Sequence, residues 1–186
     1  MGARLRTFAD DPVRLGFWAF SIAVLVQFLH QLEHLAQIIQ KHVLGWKDFP
    51  GLLGRVFDFE TVHLLYNVAL FLAILAVFVI HHKNPGIWRR STVGLYALSF
   101  AVVFQGYHCV EHIIKTWQYI GNLQAGLSGP EAFGKGILGA VVPVIELHFW
   151  FNSVVIAALL VSYIAFRPSL TPPELASETA ARPQEA

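Results

Sequence analysis

Residues 27–34 read QFLHQLEH, and residues 105–112 read QGYHCVEH. Gln27, His30, Glu33 and His34 thus recur as Gln105, His108, Glu111 and His112, 78 positions later. Each octet lies within a long apolar run. At about 100° per residue, Gln27, His30, Glu33, His34 and Gln37 share one stripe of a helix about 120° wide, so the octet reads as a polar face on a greasy rod. A second matched set follows each octet. Gly51-Leu-Leu-Gly54, His63 and Asn67 follow the first; Gly136-Ile-Leu-Gly139, His148 and Asn152 follow the second, at an offset of 85. Seven extra residues in the second connecting loop account for the difference. A tandem duplication of a helix pair explains all of these matches together.

Four stretches, roughly residues 15–43, 61–80, 91–120 and 143–166, are apolar and long enough for a hydrocarbon core of roughly 30 Å, which takes about 20 helical residues. The predicted fold is an all-α integral membrane protein, a four-transmembrane-helix bundle made of two tandem, pseudo-two-fold-related helix pairs. Repeat 1 covers about residues 15–80 and repeat 2 about 91–166. Residues 1–14 read as a cytoplasmic N-terminal segment, and 167–186, rich in Pro, Ala, Ser and Glu, as a disordered cytoplasmic tail. Two helices per repeat restore the chain direction, so the axis relating the halves lies along the membrane normal. Asp58 and Ser91 are expected to cap the second and third helices, Pro143 suits the first turn of the fourth, and Asn84-Pro85-Gly86 forces the turn between the pairs.

Composition agrees. Of 186 residues, 55% are hydrophobic and 13% charged, where a soluble domain carries roughly 25% charged residues. A net charge of +1 gives no basic excess for nucleic acid. The single cysteine, Cys109, excludes an internal disulfide framework and a cysteine-rich zinc module, and reads as a small packing residue. Arg4, Arg6, Arg14, Lys83, Arg89, Arg90, Arg167 and Arg182 gather on one side, against Lys41, Lys47, Arg55, Lys115 and Lys135 on the other. The positive-inside rule therefore predicts a multi-pass protein of the cell membrane with both termini cytoplasmic. Trp18 and Trp88 then mark the inner interface, and Trp46 and Trp117 the outer one. The first apolar run is too long for a cleaved signal peptide and reads as a retained anchor.

This topology gathers the histidines. The first and third helices run outward and carry theirs late; the second and fourth run inward and carry His63 and His148 early. Six of the nine histidines are therefore expected in one layer, in the outer third of the membrane, beneath the Gly51 and Gly136 loops. His at i and i+4 is metal-ligand spacing, and a third His from the next helix completes each set. A dinuclear centre is predicted from His30, His34, His63, His108, His112 and His148, with Glu33 and Glu111 ligating, bridging two ions or acting as bases. Gln27, Asn67, Gln105 and Asn152 are expected to orient imidazoles or hold water. The alternative for such groups is structural: polar side chains also bond transmembrane helices together or form a proton path without metal.

His42, His81 and His82 are assigned to the rims. Glu60 and Glu146 have no counterpart in the other half and suit the first-turn dipoles of their helices, although Glu60 also stands one turn before His63. The flexible glycine-rich segment after the third helix is a candidate lid, with a plain linker as the alternative.

Two transition-metal ions follow, iron or copper preferred for a nitrogen-rich site in an apolar bundle and zinc allowed, and the absence of a thiolate argues against iron–sulfur and soft-metal thiolate sites. Haem is disfavoured, since histidines crowded into one layer leave no room for a porphyrin's spacing. The order H-x-x-E-H, here His30 to His34 and His108 to His112, resembles that of inverted zinc peptidases, whose two histidines bind zinc while the glutamate is the base. Only that chemical logic is carried over. The H-x-x-H-H boxes of membrane hydroxylases and desaturases are not present. The expected function is a membrane oxidoreductase of oxygenase, hydroxylase or desaturase type, acting on a lipid-soluble substrate and served by a separate electron donor, because no nucleotide or flavin motif occurs. The alternatives are a membrane zinc hydrolase, and a metal or proton transport or metal-delivery subunit of a larger complex.

Overall fold

A computed structural model describes residues 12–53, 60–84 and 91–166. Four helices cover most of them: α1 Pro12–His42, α2 Glu60–His82, α3 Thr92–Gln124 and α4 Val144–Phe166. Each is long and apolar enough to cross a membrane. Two short 3-10 turns, Gly129–Ala132 and Leu138–Ala140, lie between α3 and α4. Among the described residues there is no strand. The helices start and stop within a few residues of the sequence expectation. Ser91 caps α3 as expected, its hydroxyl accepting from Gly94 N at 3.0 Å. Pro143 lies one residue before α4 and offers its carbonyl to Leu147 N at 3.0 Å. Asp58, Gly54, the Pro85-Gly86 part of the turn, Trp88 and the tail lie outside the described residues.

The helices form an antiparallel square in which α1 packs on α2 and α4, and α3 packs on α2 and α4. Two contacts on each side fix the direction. His30 meets His63 while Phe20 meets His81, and His108 meets His148 while Gly94 approaches Phe166. A seven-residue rhythm produces the square. In α1 the positions facing the axis are 16, 20, 23, 27, 30, 34 and 37, and in α3 the same positions plus 78; in α2 they are 63, 67, 70, 74, 77 and 81, and in α4 those plus 85. All except His30 and His63, which are half-buried, are buried. This 3-4 alternation is the spacing that keeps one seam of a helix on its neighbours. Gly16 and Gly94 bring the helices together at one end: a Cβ there would stand 3.0 Å from Ile80 and from Ala165, which are themselves equivalent positions.

The two ends of the square differ in chemistry. Near the chain termini the axis is filled by Phe20, Leu98, Leu70, Ile74, Val77, Val155, Leu159 and Phe166. Toward the connecting loops it is filled by amides and imidazoles. Large apolar side chains, among them Leu25, Leu65, Val103 and Ile164, face outward, as a lipid-facing surface requires.

One expectation needs correction. His81 is not a rim residue: it is 1% exposed, packs on Phe166 and Phe20, and donates from Nδ1 to Val77 O at 2.8 Å. It occupies an axis position, where the heptad carries it into the core. His82 is exposed and stacks on Phe78.

Candidate metal centre

The six layer histidines make one connected cluster. Within repeat 1 the ring centroids of His30, His34 and His63 are 4.5 to 6.3 Å apart, and within repeat 2 those of His108, His112 and His148 are 4.8 to 5.9 Å apart. Two further contacts join the halves: His34 to His148 at 5.7 Å and His63 to His112 at 6.0 Å. The repeat exchanges these two contacts, so the cluster has the two-fold character of the chain.

In each half the two histidines of the long helix face one another through Nε2, 3.0 Å apart for His30 and His34 and 3.2 Å for His108 and His112. Two nitrogens bound at about 2.0–2.1 Å to one ion lie about 2.9 Å apart at right angles and about 3.3 Å apart in a tetrahedron. Both observed separations fall in that interval. An N–H···N hydrogen bond has a similar length, so the third ring decides. In repeat 2, His108, His112 and His148 each offer a ligand nitrogen, all within 4.8 Å of one another, and all three residues are buried. This group could hold a metal ion. In repeat 1, Gln37 Oε1 accepts the Nδ1 proton of His34 at 2.9 Å, which leaves the His34 Nε2 lone pair available toward His30 and is how ligating histidines are usually oriented.

Glu33 and Glu111 stand beside the layer and hold the loops. Leu52 N and Leu53 N donate to Glu33 at 2.8 and 3.1 Å, and Leu138 N donates to Glu111 Oε1 at 2.6 Å. Neither carboxylate belongs to the group of three histidines. Gln40 and Gln118 complete these clamps. Gln40 bonds both N and O of Gly51, at 2.8 and 2.9 Å, and Gln118 bonds both N and O of Gly136, at 2.9 and 3.3 Å. Gly51 and Gly136 have φ of 78° and 75°, and a Cβ on Gly51 would overlap the Glu33 carboxylate while one on Gly136 would stand 2.7 Å from Glu111 Oε1. The glycines in the repeated loops are therefore required twice over, by backbone conformation and by the carboxylate seated against them.

The four amides lie one turn below. Gln27 Nε2 donates to Asn152 Oδ1 and Gln105 Nε2 to Asn67 Oδ1, both at 2.9 Å. Asn67 and Asn152 donate in turn to the carbonyls of His63 and His148, at 2.8 and 2.9 Å. They thus tie the main chain that carries the histidines and cross-link one repeat to the other. Such interhelical bonds contribute about 0.6 kcal/mol on average. Cys109 is a packing residue, as expected, its thiol directed at Asn67 O.

Glu146 receives Lys41 and His42, at 2.6 and 2.7 Å, and straps α1 to α4. Glu60 receives Lys115 at 2.7 Å, a pair whose side chains are 8% and 9% exposed. Lys115, Tyr66, Gln40 and Gln118 were not singled out from the sequence as site residues. The 78-residue offset could have found the two glutamines, whereas Lys115 stands where repeat 1 has Gln37 and so breaks the repeat.

Comparisons of the chain with family models, with curated proteins and with solved structures find no match, so a functional reading rests on the geometry.

Proposed function

We propose that this chain is an integral-membrane metalloprotein whose histidine layer holds two transition-metal ions, iron or copper, and that it acts as an oxidoreductase on a lipid-soluble substrate. The observation that carries the metal reading is the proximity of the ligand nitrogens of the buried residues His108, His112 and His148. His30, His34 and His63 would hold the second ion, and the contacts of His34 with His148 and of His63 with His112 would keep the two ions close. All six donors are imidazoles, a set that suits iron, copper and zinc alike; redox chemistry of oxygenase, hydroxylase or desaturase type is the choice that suits an apolar setting and a substrate arriving from lipid.

Bound iron or copper would supply the electron chemistry. The chain's own residues do the rest. The loop clamps built on Glu33 and Glu111 cover the layer from the loop side, and the apolar half of the square closes it toward the termini. Glu111 Oε2, buried and without a hydrogen-bond partner among the described residues, is the proton acceptor nearest in sequence to His112. Electrons come from a separate protein or quinol. The layer faces the outer leaflet and both termini the cytoplasm, or the chain serves as a subunit whose partners complete this arrangement.

Elemental analysis of the purified full-length protein tests the reading. Two equivalents of iron or copper per chain are expected, with a spin-coupled pair that becomes an isolated ion in His30→Ala and in His112→Ala. A metal content that these substitutions leave unchanged defeats the site. Zinc alone, with no redox-active metal, removes the oxidoreductase part and favours hydrolysis with Glu111 as the base.

A further inference from the structure

Around the repeat 1 histidines most polar atoms are used, although Gln31 Oε1 is buried without a partner among the described residues. Gln27 Oε1 accepts the Tyr66 hydroxyl at 3.0 Å, Gln37 Oε1 accepts from His34, and Glu33 takes two loop N–H groups. The equivalent atoms on α3 are not. Gln105 Oε1, His108 Nδ1, Glu111 Oε2 and His112 Nδ1 are buried with no hydrogen-bond partner among the described residues, and Thr116 Oγ1, one turn beyond His112, joins them. Across the seam, Glu60 Oε2 is orphaned as well, while its other oxygen holds Lys115. Departures from the repeat account for the orphans at Gln105, His112, Thr116 and Glu60. Phe151 replaces Tyr66, Lys115 replaces Gln37, Thr116 replaces Ile38, and Glu60 stands where repeat 2 has Ile145.

Buried polar groups are seldom left unpaired, and these run roughly 16 Å along α3, from Gln105 to Thr116, so they call for more than one small occupant. Their chemistry follows from the inventory. The oxygens of Gln105, Glu111 and Glu60 can only accept, whereas the Nδ1–H groups of His108 and His112, whose Nε2 atoms face each other, can only donate, so the occupants must do both. An anion would face two carboxylates, and a hydrocarbon chain would satisfy none of the orphans.

We infer that the α3 side of the histidine layer binds small hydroxylic ligands, either water or the hydroxyl end of an amphiphile, and that the α1 side does not. The inference rests on the metal reading for its first test only. The two halves of the duplication then have different tasks: repeat 1 is a closed, self-bonded site, and repeat 2 receives what comes from outside.

Copper-loaded full-length protein in detergent micelles, placed in water enriched in 17O, gives the first test. An 17O hyperfine coupling should persist in His30→Ala, where only the repeat 2 site is intact, and be lost in His108→Ala. Added 1-decanol removes the coupling, and decane does not, if the occupant is the hydroxyl of an amphiphile; if neither removes it, the occupant is water. Equal coupling in the two variants, or coupling confined to His108→Ala, overturns the inference. A second test needs no metal. Thr116→Val keeps the side-chain shape and changes no ligand residue. If the hydroxyl is bonded to an occupant, the Tm of the metal-free protein falls; if it is a true orphan, the Tm holds or rises and the inference is wrong. Failure of the wild-type protein to bind either copper or iron would defeat the metal reading while leaving this second test to decide the ligand.

Discussion

Where α1 meets α4, Lys41 reaches Glu146 near the end of the bundle, and His42 meets the same oxygen. Where α2 meets α3, Lys115 reaches Glu60 three residues from His112 and from His63. The outer pair keeps 28% and 22% of its side-chain surface exposed; the inner pair keeps 9% and 8%. The duplication supplied the same square of helices on both sides, so the backbone does not cause the difference. Moving one ion pair inward changes its physics. A rim pair is screened by water, whereas a buried pair depends on its partner for nearly all of its solvation.

That contrast can be broken by substitution, and the buried pair should respond most. Lys115→Met strands the Glu60 carboxylate and is expected to cost about 3–5 kcal/mol, against about 1 kcal/mol or less for Lys41→Met, in unfolding measured in micelles. Adding Glu60→Gln to Lys115→Met should recover most of the loss. Similar losses for both lysines would erase the distinction between the seams.

A smaller effect compares the loops over the two halves. Gly51→Ala and Gly136→Ala place a Cβ on a carboxylate and force a left-handed residue, so each should cost more than Gly126→Ala, which carries the same backbone strain of about 1–2 kcal/mol in open space. Both should also loosen metal binding, and a metal titration would show it. If all three variants melt together, the clamps do not brace the layer.

The smallest effect sharpens the comparison between repeats. Tyr66→Phe removes the hydroxyl that satisfies Gln27 and should cost about 0.5–1.5 kcal/mol. The reciprocal Phe151→Tyr offers Gln105 Oε1 a hydroxyl from within the chain in place of one from outside. Phe151 stacks on His108 as Tyr66 lies against His30, so the new hydroxyl should arrive in the right place and raise the Tm. A fall in Tm would mean that the halves are less alike than their sequences.

The duplication, the four spans and the gathering of six histidines were all readable, because each follows from periodicity and counting. The polarity of Gln27 and Gln105 could be read too, but not their bonds: an amide on a helix face shows that a partner exists, not which helix supplies it. Glu33 and Glu111 show the limit more sharply. Spacing put them beside the histidines, where a carboxylate suits a metal or a proton, and only the descent of the Gly51 and Gly136 loops reveals the N–H groups they hold. His81 was misplaced because a histidine next to a lysine resembles a helix end, while its heptad position, continuous with Asn67 and Ile74, carries it inward. The pairing of Lys115 with Glu60 escaped for a related reason. Each lacks a counterpart, and a search for repeats passes over what is not repeated.

The crossed amide bonds have one more consequence. Each helix pair carries both the glutamine that donates and the asparagine that accepts, and each bond runs between pairs. In the terms of oligomers this is an isologous interface, self-complementary under a two-fold rotation. A homodimer of such pairs would have to take every substitution twice, so a lysine in place of Gln37 would enter the layer as two facing cations. Joining the pairs into one chain removes that constraint: Lys115 can stand on one side with a glutamine opposite, and a symmetric scaffold can hold an asymmetric site.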